Sequence, residues 1–307
     1  DVFDSNWIAP AGPHINKFEN KLALFLKSKN VVALSSGTAA IHLSLQILGV
    51  KRGDFVICQS LTFVGSANPI LYCNAEPIFI DSEKETWNMC PLLLEKAIND
   101  SLKINKKPKA IILVHLYGMP AKINEIKEIS KKYDIPLIED AAEALGSNYD
   151  GIPLGTIGDF GILSFNGNKI ITTSGGGALI SSSFEHSKKA KFLSSQAKEN
   201  TIHYQHKEIG YNYRISNVLA AIGLGQIEQI DKKIKIRRKN FSLYKKYLNN
   251  IEEISFLEEP LNFYSNRWIT TILVSSQNGF CKEKIIRNLR ENKIESRPIW
   301  KPMHLQP

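Results

Sequence analysis

Short, unbroken apolar runs punctuate the first half of the chain at residues 31–34, 55–58, 77–80, 110–114 and 136–139. Continuous rather than alternating apolarity is the pattern of strands buried on both faces. Between the runs, residues 39–48, closed by Gly49, and 123–133 carry helical periodicity. Residues 160–165 and 177–181 predict two further strands, and Ile15, Phe18, Leu22 and Phe25 form an apolar stripe on an early helix. Strands alternating with helices predict an α/β fold with a mostly parallel central sheet covered by helices.

Beyond residue 182 the pattern changes. Helices are predicted over 184–196 and 216–248, then a strand over 268–274, a helix over 282–291 and a strand over 294–299. That order is expected of a smaller α+β unit. The chain starts at Asp1 without an initiator Met and stops at Pro307 in mid-segment, the signs of a fragment whose last unit is cut short.

Composition narrows the function classes. Of 307 residues, 43% are hydrophobic and 22% charged, which is globular, and no apolar run is long enough to span a membrane. The net charge of +9 admits anionic partners. Its densest cluster, residues 232–239, shares a helix with Ile227, Ile230 and Ile234 and reads as a solvated face, so neither nucleic acid nor membrane is expected as a partner. Cys58, Cys73, Cys90 and Cys281 form neither C-x-x-C nor a zinc pattern; no metal is expected, and sparse thiols suit a reducing cytoplasm.

Four stretches carry chemistry. Lys169 sits in the Gly- and Asn-rich turn 164–177 between two apolar strands, where a partly buried amine becomes nucleophilic toward an aldehyde. Alone, the turn fits a solvated lysine on a surface hairpin equally well. Asp140 and Glu143 follow a buried strand, where ligands bind in open α/β sheets, although an acid there also caps helices. Ser36-Gly37-Thr38-Ala39 leads a strand into a helix and suits phosphate, or an ordinary N-cap. Asn212 and Arg214, ahead of the helix capped by Ser216, offer donors to an anion.

The order of these stretches, with Trp7-Ile8-Ala9-Pro10, Leu61-Thr62-Phe63, Ser164-Phe165-Asn166-Gly167-Asn168-Lys169 and Arg297-Pro298-Ile299-Trp300-Lys301-Pro302-Met303-His304, resembles the DegT/DnrJ/EryC1/StrS sugar aminotransferases. The resemblance spans nearly the whole chain. It implies the fold type I architecture, pyridoxal 5′-phosphate as cofactor, a large cofactor-binding domain over 1–230 and a small domain over 231–307. It also implies that Lys169 bonds the cofactor aldehyde, Asp140 meets the pyridine nitrogen and Phe63 stacks on the ring. Gly37, Thr38, Ala39 and Ser164 then hold the phosphate, with Asn212 supplied by the other subunit of a homodimer. Glu143 stands where many members carry Gln, on the side of the ring hydroxyl. Arg214, Lys301 and His304 are candidate substrate contacts, the first two for a diphosphate.

The implied reaction moves an amino group from glutamate to a keto sugar nucleotide, expected to be a 4-keto-6-deoxyhexose, to make an amino sugar for glycan or polysaccharide synthesis. The alternatives are a 3-keto substrate and a non-catalytic, cofactor-binding regulatory protein. Dehydratases of the family carry His at the lysine position, and Lys169 argues against that activity.

Overall fold

The computed structural model describes residues 1–28, 30–276 and 281–307. In chain order they form α1 (Pro13–Leu26), β1 (Val31–Leu34), α2 (Gly37–Ile47), β2 (Phe55–Gln59), α3 (Val64–Tyr72), β3 (Glu76–Ile80), α4 (Pro91–Lys103), β4 (Ala110–Val114), α5 (Ile123–Tyr133) and β5 (Leu137–Asp140). Next come β6 (Asn148–Tyr149), β7 (Ile152–Pro153), β8 (Phe160–Ser164), β9 (Gly177–Ser181), α6 (Phe184–Ser194), α7 (Asn217–Ile227) and α8 (Ile230–Leu248). The chain closes with β10 (Ile254–Phe256), β11 (Phe263–Tyr264), β12 (Ile272–Val274) and α9 (Lys282–Glu291).

The main sheet has seven strands in the order β1-β9-β8-β5-β4-β2-β3. Pairing is parallel from β3 across to β8, and β9 runs antiparallel to both β8 and β1, so β9 alone opposes the other strands. The strands expected from apolar runs are all present. β1, β4 and β9 are buried along their whole length, which is why their sequences lack alternation.

Helix α1 buries Ile15, Phe18, Leu22 and Leu26; Phe25, expected in the stripe, is only half-buried. It packs on α7 by close approach at a glycine. A Cβ on Gly223 would sit 2.6 Å from the Phe18 ring, so the aromatic occupies the space a side chain would need. Phe18 in turn meets Phe165 edge-on at 5.2 Å, tying α1 to the turn that carries Lys169.

Departures from expectation lie in the second half. The helix expected over 216–248 is two helices, interrupted at Gln229 (φ −104°, ψ 3°), yet Ile227, Ile230 and Ile234 are all buried across the break. Lys232, Lys235, Arg237 and Lys239 face solvent on α8. The strand expected over 268–274 is reduced to β12, paired with β10, because Arg267 takes a left-handed φ of 53° and turns Trp268 inward. Residues 294–299 form no strand: Ile294 and Ile299 are exposed, and Pro298 lacks a backbone donor for pairing. The small elements β6, β7, β10 and β11 were not anticipated, two or three residues being too short to show a period.

Chain beyond residue 230 is stitched back to the main sheet's unit: β11 pairs with β6, and Asn266 donates to the carbonyls of Glu143 (2.8 Å) and Leu145 (3.0 Å). All four cysteines are free. Among the described residues, no helix is long and apolar enough to cross a membrane.

Candidate active site

The shared direction of β1, β2, β4, β5 and β8 delivers their C-terminal ends to one edge of the sheet, where ligands of open α/β folds bind. Ser36, Phe63, Asp140 and Ser164 all leave the sheet there.

Asp140 and its neighbour Glu139 share a strand but not a role, because successive strand residues face opposite ways. Glu139 is buried under backbone: it accepts from Gly155, Ile157 and Gly158 N–H (2.9, 2.6 and 2.6 Å) and lies 3.0 Å from His115 Nε2. Burial raises the pKa of Glu139, but the His115 bond and these N–H donors outweigh it, and the net position is below the usual carboxylate range. His115 Nδ1 accepts from Ala121 N–H at 3.1 Å, which leaves Nε2 as the donor to Glu139. Glu139 is structural. Asp140 points toward α3, where the Ser66 hydroxyl donates to its Oδ2 at 2.6 Å and is itself 2.8 Å from Thr62 Oγ1.

Helix α2 starts where β1 stops. Its Ser36 side chain caps Ala39 N–H at 3.0 Å, and first-turn N–H groups have no acceptor within a helix. Two glycines show how closely the neighbouring elements converge. A Cβ on Gly37 would lie 3.4 Å from Ser164 Cβ, and one on Gly65 would lie 3.2 Å from both Thr38 Oγ1 and the Phe63 ring. Gly37, Thr38, Ser164 and Phe63 are therefore neighbours, with Phe63 more than half exposed at the mouth.

Lys169 lies in the turn between β8 and β9, its side chain only 10% exposed. Its Nζ is 3.3 Å from Glu143 Oε1 and 4.3 Å above the centre of the Trp268 ring. Glu143 Oε2 accepts from Tyr117 N–H at 2.6 Å. Burial first, with the negative Asp140 adding, pushes Glu143 up to about 7, although Lys169 and the Tyr117 N–H pull the other way.

Ser164, Gly37, Thr38 and Phe63 thus lie side by side, Ser66 holds Asp140, and Lys169 holds Glu143, whose carboxyl feels the charge of Asp140. Ser66, Tyr117 and Trp268 were not singled out in the sequence, and Thr62 entered only within the Leu61-Thr62-Phe63 motif. Ser66 follows Phe63 by three residues on one helix start, a spacing that could have flagged it; nothing local marks Tyr117.

The remaining candidates fare differently. Arg214, a candidate diphosphate contact, has its guanidinium half-buried against Glu19 Oε1 (2.9 Å) and the Ala33 carbonyl (3.1 Å), bracing α1 on β1. Asn212 is exposed and backbone-bridged to Ser195. Lys301 is exposed, while His304 Nδ1 lies 2.6 Å from Ser60 Oγ and docks the final segment at the end of β2. That segment brings Trp300 to 5.4 Å from Phe63 and 5.0 Å from Tyr117, ring centre to ring centre.

An amine near a strand-end carboxylate, an aromatic face at the mouth and a helix start facing a serine form the donor set of a pyridoxal phosphate enzyme, and they fit that group here. The glycines at 37 and 65 let these elements converge, because a side chain at either would press on Ser164, Thr38 or Phe63, the residues that would hold the group. Fold and site together define a pyridoxal-phosphate-dependent transaminase. Residues 1–307 match the model of the DegT/DnrJ/EryC1/StrS aminotransferase family, and the chain belongs to that family.

Relatives agree. EpsN of Bacillus subtilis (strain 168), provisionally named a pyridoxal phosphate-dependent aminotransferase, is 52% identical over 307 residues, 100% of this chain and 79% of its own. The UDP-4-amino-4,6-dideoxy-N-acetyl-beta-L-altrosamine transaminase of Campylobacter jejuni subsp. jejuni serotype O:23/36 is 33% identical over 300 residues, 97% of this chain and 78% of its own. A crystal structure of a DegT DnrJ EryC1 StrS aminotransferase from Brucella abortus superposes with a TM-score of 0.92 at 29% identity, covering 99% of this chain and 80% of that one.

Proposed function

We propose that this transaminase moves the amino group of glutamate to the C4 keto group of a nucleotide-linked 6-deoxyhexose. The observation that carries the reading is the buried Lys169 amine, 3.3 Å from Glu143, at the sheet edge where Ser66 orients Asp140. The 4-amino-4,6-dideoxy sugar in the name of the Campylobacter relative supports attack at C4.

Pyridoxal phosphate, when bound, supplies an aldehyde that takes up the amine and a cationic ring that accepts electrons from the adjacent carbon. This chain's residues do the rest. Asp140, fixed by Ser66, would hold the proton on the pyridine nitrogen. Gly37 and Thr38 at the start of α2, with Ser164, would bind the phosphate through N–H and hydroxyl donors, joined by Ala39 N–H once its Ser36 cap is displaced. Phe63 would cover one face of the ring. Lys169 would bond the aldehyde at rest and, once released, move the proton from the donor's Cα. Glu143, poised near neutrality, can hold or release a proton 3.3 Å from that amine. Lys301 and His304, exposed on the segment that carries Trp300 to Phe63, would serve as substrate contacts.

The same reading assigns cofactor binding to residues 1–230, a smaller domain to 231–307, and a homodimer in which Asn212 reaches the partner's phosphate site. Its exposed position suits donation to another subunit.

The test is to supply glutamate with 4-keto and, separately, 3-keto nucleotide sugars and follow 2-oxoglutarate. Turnover with the 4-keto sugar is expected. A response confined to the 3-keto sugar refutes the choice of position, and cofactor binding without turnover on any keto sugar favours a regulatory protein.

A further inference from the structure

Lys169 is embraced by a segment about a hundred residues away in sequence, the run Ser265-Asn266-Arg267-Trp268. This run is pinned from several sides. Asn266 N–H donates to Ser147 Oγ at 2.8 Å, its side-chain amide reaches the Glu143 and Leu145 carbonyls, and its Oδ1 accepts from Trp268 N–H at 2.8 Å. Arg267 sends its guanidinium to the Leu257 carbonyl at 2.6 Å. Trp268, 3% exposed, is thereby held on a fixed backbone. Its indole N–H donates to the Asn168 carbonyl at 2.7 Å, and its ring face lies under the Lys169 amine at 4.3 Å.

We infer that Trp268 is a positioning residue for the transaminase's lysine: its N–H fixes the peptide just before Lys169, and its ring face receives the amine whenever that amine is free. The inference rests on Lys169 being the cofactor lysine. During turnover the amine must leave the cofactor and yet remain within reach of the donor's Cα. A lysine stem has many rotamers, and ordering it costs free energy. A desolvated π-face attracts an ammonium strongly enough to select one of them. Glu143 alone would not achieve this, because its carboxylate loses its charge as it protonates near neutrality, whereas the neutral indole face does not titrate there.

The contact can be read without cofactor or sugar. Cofactor-free protein is treated with trinitrobenzenesulfonate at one pH, and labelling of Lys169 is followed by peptide mass spectrometry in the native chain, Trp268→Phe and Trp268→Leu. Expected is labelling roughly tenfold faster in Trp268→Leu, with Trp268→Phe within about twofold of native because a ring face remains. In loaded enzyme, kcat falls about tenfold in Trp268→Leu at unchanged KM for glutamate, and Trp268→Phe restores most of it. Equal labelling in all three proteins, or equal impairment of the two variants, overturns the inference. If Trp268→Leu fails to fold by circular dichroism, Trp268→Phe decides alone. Lysine protection near native with slower uptake of pyridoxal phosphate supports the role, and labelling as fast as for exposed lysines overturns it. Because the labelling arm needs no substrate, it decides the role of Trp268 even if the sugar assigned above is wrong.

Discussion

Ser66 Oγ lies 2.6 Å from Asp140 Oδ2, so the first turn of α3 aims the carboxylate that ends β5. Both residues are buried, and a hydrogen bond to a charged group in such a place is worth about 1.5–3 kcal/mol. Ser66→Ala is expected to lower stability by about that amount and to weaken pyridoxal phosphate binding roughly tenfold, measured by thermal unfolding of cofactor-free protein and by cofactor titration. Ser66→Thr, keeping the hydroxyl, should recover most of the affinity; equal affinity in all three proteins would remove Ser66 from the site.

Glu143 makes a pH prediction with a definite sign. Its carboxyl is raised to about 7 in the folded chain, so between the ordinary carboxylate range and pH 7 the native state binds more protons than the unfolded state. Stability from this group is present at low pH and is lost as pH rises toward 7. Glu143→Gln lacks that loss. The difference in stability between Glu143→Gln and the native chain should therefore grow in the variant's favour from pH 5 to 7, by on the order of 1–3 kcal/mol, then level off. Denaturant unfolding of cofactor-free protein across that range checks it; a difference that shrinks with rising pH contradicts the assignment.

Arg214 is expected to act on stability alone. It pairs with the buried Glu19, which also meets Lys191 at 3.1 Å, so truncation leaves one partner in place. Arg214→Ala should cost about 2–4 kcal/mol, at the lower side of losses for broken buried pairs. KM for the nucleotide sugar should not change. A large rise in KM at native stability would return Arg214 to the substrate site.

Gly223→Ala tests the seam between α1 and α7. The new methyl meets the Phe18 ring at 2.6 Å, a clash relieved only by moving a fully buried aromatic. Overpacking of this kind costs about 1–3 kcal/mol. Since Phe18 touches Phe165 near the lysine turn, cofactor affinity should also drop by several-fold, measured by titration.

The sheet was legible because its strands are buried on both faces and so read as uninterrupted apolar runs. Asp140 and Lys169 stood out only in combination: an acid ending a buried run and a lysine in a Gly- and Asn-rich turn each had an ordinary alternative, and the order of the motifs singled them out. What failed to show depends on distance or brevity. The bond from Ser66 to Asp140 spans 74 residues, and the contact of Trp268 with the lysine turn spans 100. Arg214 carries no local mark that its partner is an acid on α1. Residues 294–299 had strand-like composition, but strand-forming residues need a neighbouring edge, and the chain places them in the open.

Strands β8 and β9 pair so that Ser164 stands opposite Gly177, and segment 165–176 therefore leaves and re-enters the sheet at a single spot. An insertion or deletion there cannot be absorbed by sliding β9, because a one-residue slip would move each of its buried side chains to the opposite covered face, into a space shaped for a different one. Any change of length is thus channelled into the excursion itself, so the span between these two paired residues acts as a ruler for how far residue 169 extends from the sheet.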